Sequence, residues 1–285
     1  MENENQVAVV ILNYNTYQLT IKEIENIEDV FEGDQLKVFI VDNCSTNESV
    51  EKLNCYLNEG KKRFYHKYNF ISSQANKGYA AGNNIGIKAA IDAGAKYSLI
   101  INNDILFTSS DSISKMYRYM EANNNIGALS PRIVSKDGSH DKPIYYKRPS
   151  FWDLSFGIKS YVNKIKKQND ELIYEVYAPR GSCMMLRNED LMRIGLLDEG
   201  TFLYYEEPIL AESLRKLNKT VVNFGCVYVI HNHAETIKSN ISRKRNRAIV
   251  VESMDYYLKK YRKFNAFERM ICRLVRKYAY LLSHK

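Results

Sequence analysis

The sequence predicts an α/β fold in which a doubly wound, mostly parallel sheet carries helices on both faces. Short continuous runs of apolar, β-branched residues alternate with stretches of helical periodicity through the first hundred residues. Such runs are typical of strands that are buried on both faces of a parallel sheet. The alternation of strands and helices predicts right-handed crossovers and a layered α/β domain.

The first half of the chain alternates strictly between the two kinds of element. The run VAVVIL begins at Val7, and the run LKVFIV ends directly before Asp42. Ser45 or Thr46 is expected to cap the second helix, because a side-chain oxygen there accepts from the first free N–H groups. We predict strands over residues 7–12, 36–41, 64–70 and 97–101, and helices over residues 16–30, 45–58 and 84–93.

The second half is predicted to be less regular. Residues 136–167 are polar and aromatic with weak periodicity, which indicates irregular structure over a binding site. A strand over 177–187 is entered by a Gly-Ser turn, and a strand over 220–230 precedes a helical tail. Helices are predicted over 190–194 and 208–217.

Charge divides the chain into two parts. Residues 241–285 contain 13 basic and three acidic residues, whereas the preceding residues contain 28 basic and 30 acidic ones. We therefore predict a domain over residues 1–239 and a basic helical extension over residues 240–285. Its helices would either pack on the domain with a solvated face or lie on an anionic membrane surface. No nucleic-acid-binding motif accompanies the charge, so nucleic acid is not an expected partner.

Composition excludes several classes of protein. No apolar run approaches the ~18–20 residues that span a bilayer. The start, MENENQ, lacks the basic and apolar segments of a secretion signal. The five cysteines are scattered and show no CxxC spacing, which argues against a disulfide framework or a zinc site. We expect a cytoplasmic protein with reduced thiols.

Polar clusters follow three of the predicted strands, with the sequences NYNT, DNCST and NND. In doubly wound sheets, ligands bind beyond the carboxyl ends of the strands. Asp104 ends the NND cluster, and its oxygen atoms are the hard ligands that Mg²⁺ or Mn²⁺ prefers. On its own, however, NND at a strand end is also an ordinary turn or helix cap.

Three further features could carry chemistry, although each is a weak signal alone. Glu206 and Glu207 precede a helix, where carboxylates complement the helix dipole or one of them can act as a general base. The stretch NKGYAAGNNIG, residues 76–86, can bring backbone N–H groups against phosphate or sugar. His231 and His233 follow an apolar strand, where an imidazole can complete a metal site.

Taken together and in order, these stretches resemble glycosyltransferase family 2, the inverting GT-A enzymes of bacterial polysaccharide synthesis, especially its rhamnosyltransferase-like branch. The similarity covers roughly residues 7–239. The matching stretches are VVILNYNT, FIVDNCST, NKGYAAGNNIG, LIINNDI, RGSCMMLRNEDLMRIGLLDEGTFLYYEEPILAESLRKLN and VYVIHNHAETIKS. The resemblance implies a GT-A fold, a nucleotide-sugar donor, and Mn²⁺ or Mg²⁺ as the cofactor.

The resemblance also implies roles for individual residues. Glu207 would be the catalytic base, and Glu206 would position Glu207 or the acceptor. Asp104 and His231 would approach the metal. Asp42 would accept from the imide N–H of the base, which favours a uridine or thymidine donor. The other residues implied in binding the nucleotide, diphosphate or sugar are Asn13, Tyr14, Asn15, Asn43, Ser45, Asn76, Gly78, Asn83, Asn102, Asn103 and Arg245.

The sequence departs from the family pattern at two positions. Asn102 stands where the family's DxD-type motif has its first acid, so one carboxylate rather than two would serve the metal. Ile209 stands where the family often has a third acid after the Glu206–Glu207 pair. The implied base is unaffected by this second departure, but a wider acidic network is not expected.

The implied function is inverting transfer of a sugar from dTDP-rhamnose or a UDP-hexose to a growing, lipid-linked bacterial cell-surface polysaccharide such as capsule or O-antigen. The enzyme would then work at the inner face of the cell membrane. A nucleotidyltransferase is disfavoured because the loop after the first strand, NYNTYQL, is not rich in glycine and basic residues. A non-catalytic nucleotide-sugar- or glycan-binding protein on a transferase scaffold remains the alternative.

Overall fold

The computed structural model describes residues 6–31, 36–60, 64, 66–135, 138, 140–141, 146–156, 173–231 and 242–282. The strands are β1 (Val7–Asn13), β2 (Lys37–Asp42), β3 (Lys67–Ser72), β4 (Tyr97–Asn102), β5 (Ile105–Phe107), β6 (Ile126–Ser135), β7 (His140–Asp141), β8 (Ile173–Val176), β9 (Cys183–Arg187) and β10 (Thr220–His231). The helices are α1 (Tyr17–Val30), α2 (Ser49–Gly60), α3 (Tyr79–Asp92), α4 (Ser112–Ala122), α5 (Phe151–Phe156), α6 (Asn188–Ile194), α7 (Glu206–Lys216), α8 (Arg243–Lys260) and α9 (Ala266–Leu282).

One ten-stranded sheet organises these elements, with the main order β3-β2-β1-β4-β9-β6-β10-β5. Strands β3, β2, β1 and β4 are parallel to one another. Beyond them, β9 is antiparallel to both β4 and β6, while β10 is parallel to β6 and antiparallel to β5 and β8. The predicted doubly wound α/β sheet is therefore confirmed, and its second half is mixed.

The side chains of β1 divide the core between the two faces of the sheet. Val9 and Ile11 pack with α1, α2 and α4 on one face. Ala8 and Val10 pack with α3, α6 and α7 on the other. Because alternate residues of a strand point to opposite faces, a strand buried on both sides must be apolar throughout. This arrangement accounts for the unbroken VAVVIL run.

Two helices begin four or five residues away from their predicted starts. The second helix begins at Ser49, four residues after the expected cap Ser45. Asn47 takes the capping position instead, since its Oδ1 accepts from the N–H and hydroxyl of Ser49 at 3.1 and 2.6 Å. The third helix begins at Tyr79 rather than at residue 84, directly after Gly78 with its φ of 100°. The strand predicted from residue 64 begins at Lys67.

Helix α4 and strand β6 were not predicted, although β6 lies inside the sheet between β9 and β10. The prediction of irregular structure over residues 136–167 is wrong where α5 forms a short helix and where β7 pairs with β6. Residues 157–167 of that stretch lie outside the described part of the chain.

The C-terminal segment is helical, as predicted, and it packs on the sheet domain through a small apolar cluster. Tyr257 and Leu258 of α8 and Cys272 of α9 are buried there with Tyr205 and Ile209 at the start of α7. None of the helices in the described part of the chain combines the length and apolar character that a membrane crossing requires.

Candidate active site

Asp42 ties together the loops that follow β1 and β2. The parallel register sets Asn13 beside Asp42, and the Asn13 amide donates to the Asp42 carboxylate at 2.7 Å. The backbone N–H and hydroxyl of Ser45 also donate to Asp42, at 2.8 and 2.6 Å. Asn15, with a φ of 56°, donates its N–H to Ser45 Oγ at 2.8 Å. Since Asp42 is fully buried, the role that the structure shows for it is to order both loops.

Asn43 and Asn76 hold the turn that opens α3. The Asn43 amide donates to Asn76 Oδ1 at 3.1 Å and to the carbonyl of Gly78 at 3.2 Å. Gly78 lies against Phe202, because a Cβ at Gly78 would stand 2.1 Å from the Phe202 carbonyl oxygen. The same oxygen accepts from the N–H of Tyr79 at 2.9 Å. Gly78 therefore joins the α3 turn to the loop that leads to α7.

Asn102 and Asn103 face in different directions at the end of β4. The amide of Asn103 is buried and donates to the hydroxyls of Thr16 and Thr20 at 2.8 and 2.9 Å. Asn102 is half-buried, and its backbone N–H donates to the carbonyl of Ser182 at 2.9 Å. Asn103 thus anchors the NND loop to the start of α1, whereas Asn102 lies beside the loop before β9.

The structure brings Asp104 and His231 together. In the antiparallel pairing of β10 with β5, His231 lies opposite Ile105, and His231 Nε2 is 3.1 Å from Asp104 Oδ1. One carboxylate and one imidazole fit a divalent cation that takes its other ligands from phosphate and water. Within the described ranges, no third His, Cys, Asp or Glu completes a protein-only metal site. His233 lies outside the described residues.

Glu23 of α1 is an unexpected neighbour of Asp104. It is fully buried, and burial together with the negative charge of Asp104 raises its pKa well above the usual range. Glu23 is not among the site residues predicted from the sequence. A signal was nevertheless present, because Glu23 lies four residues after Leu19 and four before Ile27, on the buried stripe of the helix.

Glu206 and Glu207 open α7 after two residues with left-handed backbone. Tyr204 and Tyr205 have φ values of 73° and 69°, which cost L-residues roughly 1–2 kcal/mol each. Glu206 is buried, and burial together with the negative charge of Glu207 raises the pKa of Glu206 to about 8. The buried carboxyl of Glu206 therefore holds its proton more tightly than an ordinary glutamate does, next to the more exposed side chain of Glu207.

A single loop, residues 180–182, separates the two candidate centres. The Glu207 carboxylate rests on Gly181, where an added Cβ would stand 2.6 Å from Glu207 Oε1. The Tyr79 hydroxyl donates to the Gly181 carbonyl at 2.6 Å. The neighbouring Ser182 carbonyl accepts from the backbone of Asn102, two residues before Asp104. One face of this loop thus meets the NND turn and another meets Glu207.

Three of the predicted site residues are less closely tied to these centres. Tyr14 is half-buried in the loop after β1. Asn83 is buried in α3, where its amide donates to the carbonyl of Tyr79 one turn earlier at 3.0 Å. Arg245 is exposed on α8, 3.8 Å from Glu252. The structure does not bring Arg245 into contact with the other predicted residues.

A family model named Glycosyl transferase family 2 matches residues 8–195, which is most of the sheet domain described above. The chain belongs to this family. It is thus a glycosyltransferase, and the predicted GT-A fold is confirmed. The match includes the loops after β1, β2 and β4 but ends before Glu206, so α7 and the C-terminal helices lie beyond it.

Two curated relatives are similar to the chain in sequence. The low-salt glycan biosynthesis hexosyltransferase Agl10 of Haloferax volcanii is 25% identical over 228 residues, covering 80% of this chain and 67% of the relative. The dTDP-rhamnosyl transferase RfbF of Shigella flexneri is 23% identical over 203 residues, covering 71% of this chain and 60% of the relative. The chain therefore spans about two thirds of the length of these relatives.

Solved structures share the fold at low sequence identity. The mannosyltransferase PcManGT from Pyrobaculum calidifontis, in complex with GDP-Man and Mn²⁺, superposes with a TM-score of 0.60 at 14% identity, covering 95% of this chain and 69% of that one. The structure of GalNAc-T7 with UDP, GalNAc and Mn²⁺ gives a TM-score of 0.62 at 16% identity, covering 90% of this chain and 50% of that one.

Proposed function

We propose that the chain is an inverting glycosyltransferase in which Glu207 is the catalytic base and Asp104 and His231 hold a divalent cation. The observation that supports this proposal is the shared loop at residues 180–182. Glu207 rests on Gly181, and the neighbouring Ser182 is hydrogen-bonded to the end of β4, where Asp104 begins the next turn. A base on one side of this loop could activate the acceptor hydroxyl, and a cation on the other side could stabilise the leaving diphosphate.

In the proposed reaction, Glu207 takes the proton of the acceptor hydroxyl while the acceptor oxygen bonds to the anomeric carbon. The bond from that carbon to the nucleoside diphosphate breaks in the same step, so the configuration inverts. A bound Mn²⁺ or Mg²⁺ would neutralise the charge that develops on the leaving diphosphate. Glu206, whose pKa is raised by burial and by the charge of Glu207, would position Glu207 or the acceptor.

The donor side of the proposed site is built on the loops after β1 and β2. Tyr14 and the Asn13–Asp42–Ser45 network would form its floor, and Asn76 and Asn102 would lie along the nucleotide and sugar, with the buried Asn83 supporting the start of α3. Asp42 is fully buried and already accepts three hydrogen bonds, so it would order the loops beneath the base rather than meet its imide N–H. From the family resemblance we propose a uridine or thymidine nucleotide, as dTDP-rhamnose or a UDP-hexose. The relative RfbF, named as a dTDP-rhamnosyl transferase, supports the first of these.

We further propose that the acceptor is a growing, lipid-linked cell-surface polysaccharide reached from the cytoplasmic side of the membrane. The relative Agl10, named for glycan biosynthesis, supports a glycan as the product of transfer. The high positive charge of residues 241–285 suits a chain that works close to anionic lipid headgroups.

Nucleotide release tests the proposal directly. The full chain is incubated with a panel of dTDP- and UDP-sugars, with Mn²⁺, with Mg²⁺ or with a chelator, and released nucleoside diphosphate is measured. We expect release that requires a divalent cation. Glu207→Gln should keep donor binding, measured by thermal shift, but lose turnover by ~10²–10⁴-fold.

Two outcomes would contradict the proposal. If Glu207→Gln turns over at the wild-type rate, Glu207 is not the base. If the wild-type chain binds donors but releases no nucleotide with any acceptor extract, the chain is instead a nucleotide-sugar-binding protein on a transferase scaffold.

A further inference from the structure

Helix α9 has two faces of different character. On one face, Cys272 is buried against Ser155 and Leu154 of α5 and against Tyr205. On the opposite face, Phe267, Met270 and Leu274 are exposed to 65%, 47% and 57% of their surface. Their spacing of three and four residues puts them on one stripe of the helix, so the solvent side of α9 is apolar along at least two turns.

An exposed tryptophan extends this apolar surface at the N-terminal end of α9. Trp152 of α5 is 69% exposed. Its ring lies edge-on to Phe151 at 5.3 Å, and Phe151 packs at 5.7 Å on Phe264, two residues before α9 begins. Four of the seven large apolar side chains that the described residues expose therefore belong to α5 and α9: Trp152, Phe267, Met270 and Leu274.

The C-terminal segment that carries most of this surface is rich in basic residues. Residues 241–285 contain 13 basic and three acidic residues. Arg269 and Arg273 of α9 share Asp255 of α8, at 3.1 and 2.5 Å, so one of the three acids is already occupied by two arginines. A second copy of the chain would bring two such positive faces together, which disfavours self-association through this stripe.

We propose that Trp152, Phe267, Met270 and Leu274 form a docking surface that inserts into the interface of an anionic lipid bilayer. The apolar stripe would enter the boundary between headgroups and acyl chains, where tryptophan is also favoured, while basic side chains of the C-terminal segment meet anionic headgroups. Helix α9 thus lies in the plane of the bilayer surface.

Docking in this way would bring the candidate base close to the membrane. The guanidinium of Arg276, on α9, donates to the hydroxyl of Tyr205 at 3.3 Å, and Tyr205 directly precedes Glu206. The start of α7 is therefore held by the helix that contacts lipid. A lipid-linked acceptor would then lie near Glu207, a consequence that rests on the proposed function. The docking surface itself does not depend on sugar transfer.

Vesicle flotation of the full chain tests the docking surface. Vesicles of phosphatidylcholine alone are compared with vesicles that also contain phosphatidylglycerol. We compare the wild type, the triple variant Phe267→Gln/Met270→Gln/Leu274→Gln, and the control Met192→Gln. Met192 is a matched control because it is 55% exposed on α6, away from the stripe. Glutamine keeps the helix propensity of these positions.

The wild type and Met192→Gln should bind vesicles that contain phosphatidylglycerol. The affinity of the triple variant for these vesicles should be lower by a factor of about ten or more. Cation-dependent nucleotide release from a soluble donor and the circular dichroism spectrum of the triple variant should match the wild type. Equal vesicle binding by the triple variant and the wild type would overturn the proposal. So would a wild-type dimer that does not bind vesicles and that the triple variant dissociates, which would identify a second copy as the occupant.

Discussion

The hydroxyl of Ser253 donates a hydrogen bond of 2.7 Å to the backbone carbonyl of Leu203. Ser253 lies on α8, and Leu203 directly precedes the two residues with left-handed backbone before α7. Tyr204 is held from the same helix, since its hydroxyl donates to Asn246 at 2.8 Å. Backbone strain of this kind persists only where the surroundings enforce it. Helix α8 therefore fixes the turn that aims Glu207.

Removing the Ser253 hydroxyl should lower turnover more than it lowers donor affinity. In Ser253→Ala the Leu203 carbonyl loses its donor, which costs about 1 kcal/mol of unfolding free energy and lets the Glu207 turn relax. We expect kcat to fall severalfold while the KM for the donor stays within about twofold. Ser114→Ala is the control, because that α4 hydroxyl also donates to a backbone carbonyl, at 3.1 Å, far along the chain. A change in KM alone would contradict a positioning role.

Gly181→Ala should displace the Glu207 carboxylate. The new Cβ would stand 2.6 Å from Glu207 Oε1, so the flexible end of the glutamate side chain must move. We expect kcat to fall roughly tenfold or more, since small misplacements of a reacting group are costly, while the melting temperature changes little. Ser182→Ala, one residue along the same loop, should leave kcat near the wild-type value. Equal kinetics for both variants would show that Glu207 does not act from this position.

Glu206 should make the stability of the chain depend on pH. Its pKa rises from 4.5 to about 8 in the folded chain, so the folded state binds this proton more tightly than the unfolded state does. Stability should therefore fall as pH rises from about 5 to about 8. In Glu206→Gln the part of this decline that Glu206 causes is absent, while the part that the buried Glu23 causes remains. The unfolding free energy of the variant, relative to the wild type, should increase by up to about 1.4 kcal/mol per pH unit.

Urea denaturation at pH 5, 6, 7 and 8 measures this difference. Glu189→Gln is the matched control, because Glu189 is an exposed glutamate in the first turn of α6 and should shift stability by a similar amount at every pH. A constant difference between Glu206→Gln and the wild type across the series would mean that Glu206 is ionised in the folded chain.

A comparison of two glycines with positive φ distinguishes the cost of backbone strain from the cost of a steric clash. Gly78 and Gly94 have φ values of 100° and 82°, but a Cβ would clash with the Phe202 backbone only at Gly78, whereas Gly94 has open space. Gly94→Ala should cost about 1 kcal/mol of unfolding free energy, and Gly78→Ala several times more. Thermal or urea unfolding measures both. If the two costs are equal, the contact between the α3 turn and the α7 loop contributes nothing to stability.

Strands β1, β2 and β4 of the parallel half could be predicted because they are buried on both faces and read as nearly continuous apolar runs. Strand β6 could not, since IGALSPRIVS contains Gly127 and Pro131, residues that argue against an interior strand. The structure accommodates the proline where the register between β6 and β10 shifts, between Phe224 and Tyr228. Irregular pairing of this kind depends on the partner strand β10, and the sequence of β6 alone carries no information about that strand.

For the candidate site, the sequence pointed to Asp104, Glu207 and His231 because each lies in a stretch that resembles the family. It did not indicate that Glu207 rests on Gly181 or that Ser253 holds the turn before α7. These contacts join residues far apart in the chain, and their polar or small side chains carry no periodicity. The buried carboxyl of Glu23 could not be predicted for another reason. A single acidic residue within the apolar stripe of a helix looks, in sequence, like a solvent-exposed break in that stripe.

The contact between Asp104 and His231 has a consequence for the integrity of the sheet. A cation held by both side chains would act as a removable cross-link between the end of β4 and the end of β10. Most of the irregularly paired strands lie between these two points in the chain, and tying the ends of so long a loop restricts mainly the unfolded state. The concentrations of cation and donor would then determine how long the second half of the sheet resists proteolysis. The same concentrations would determine how fast sugar is transferred.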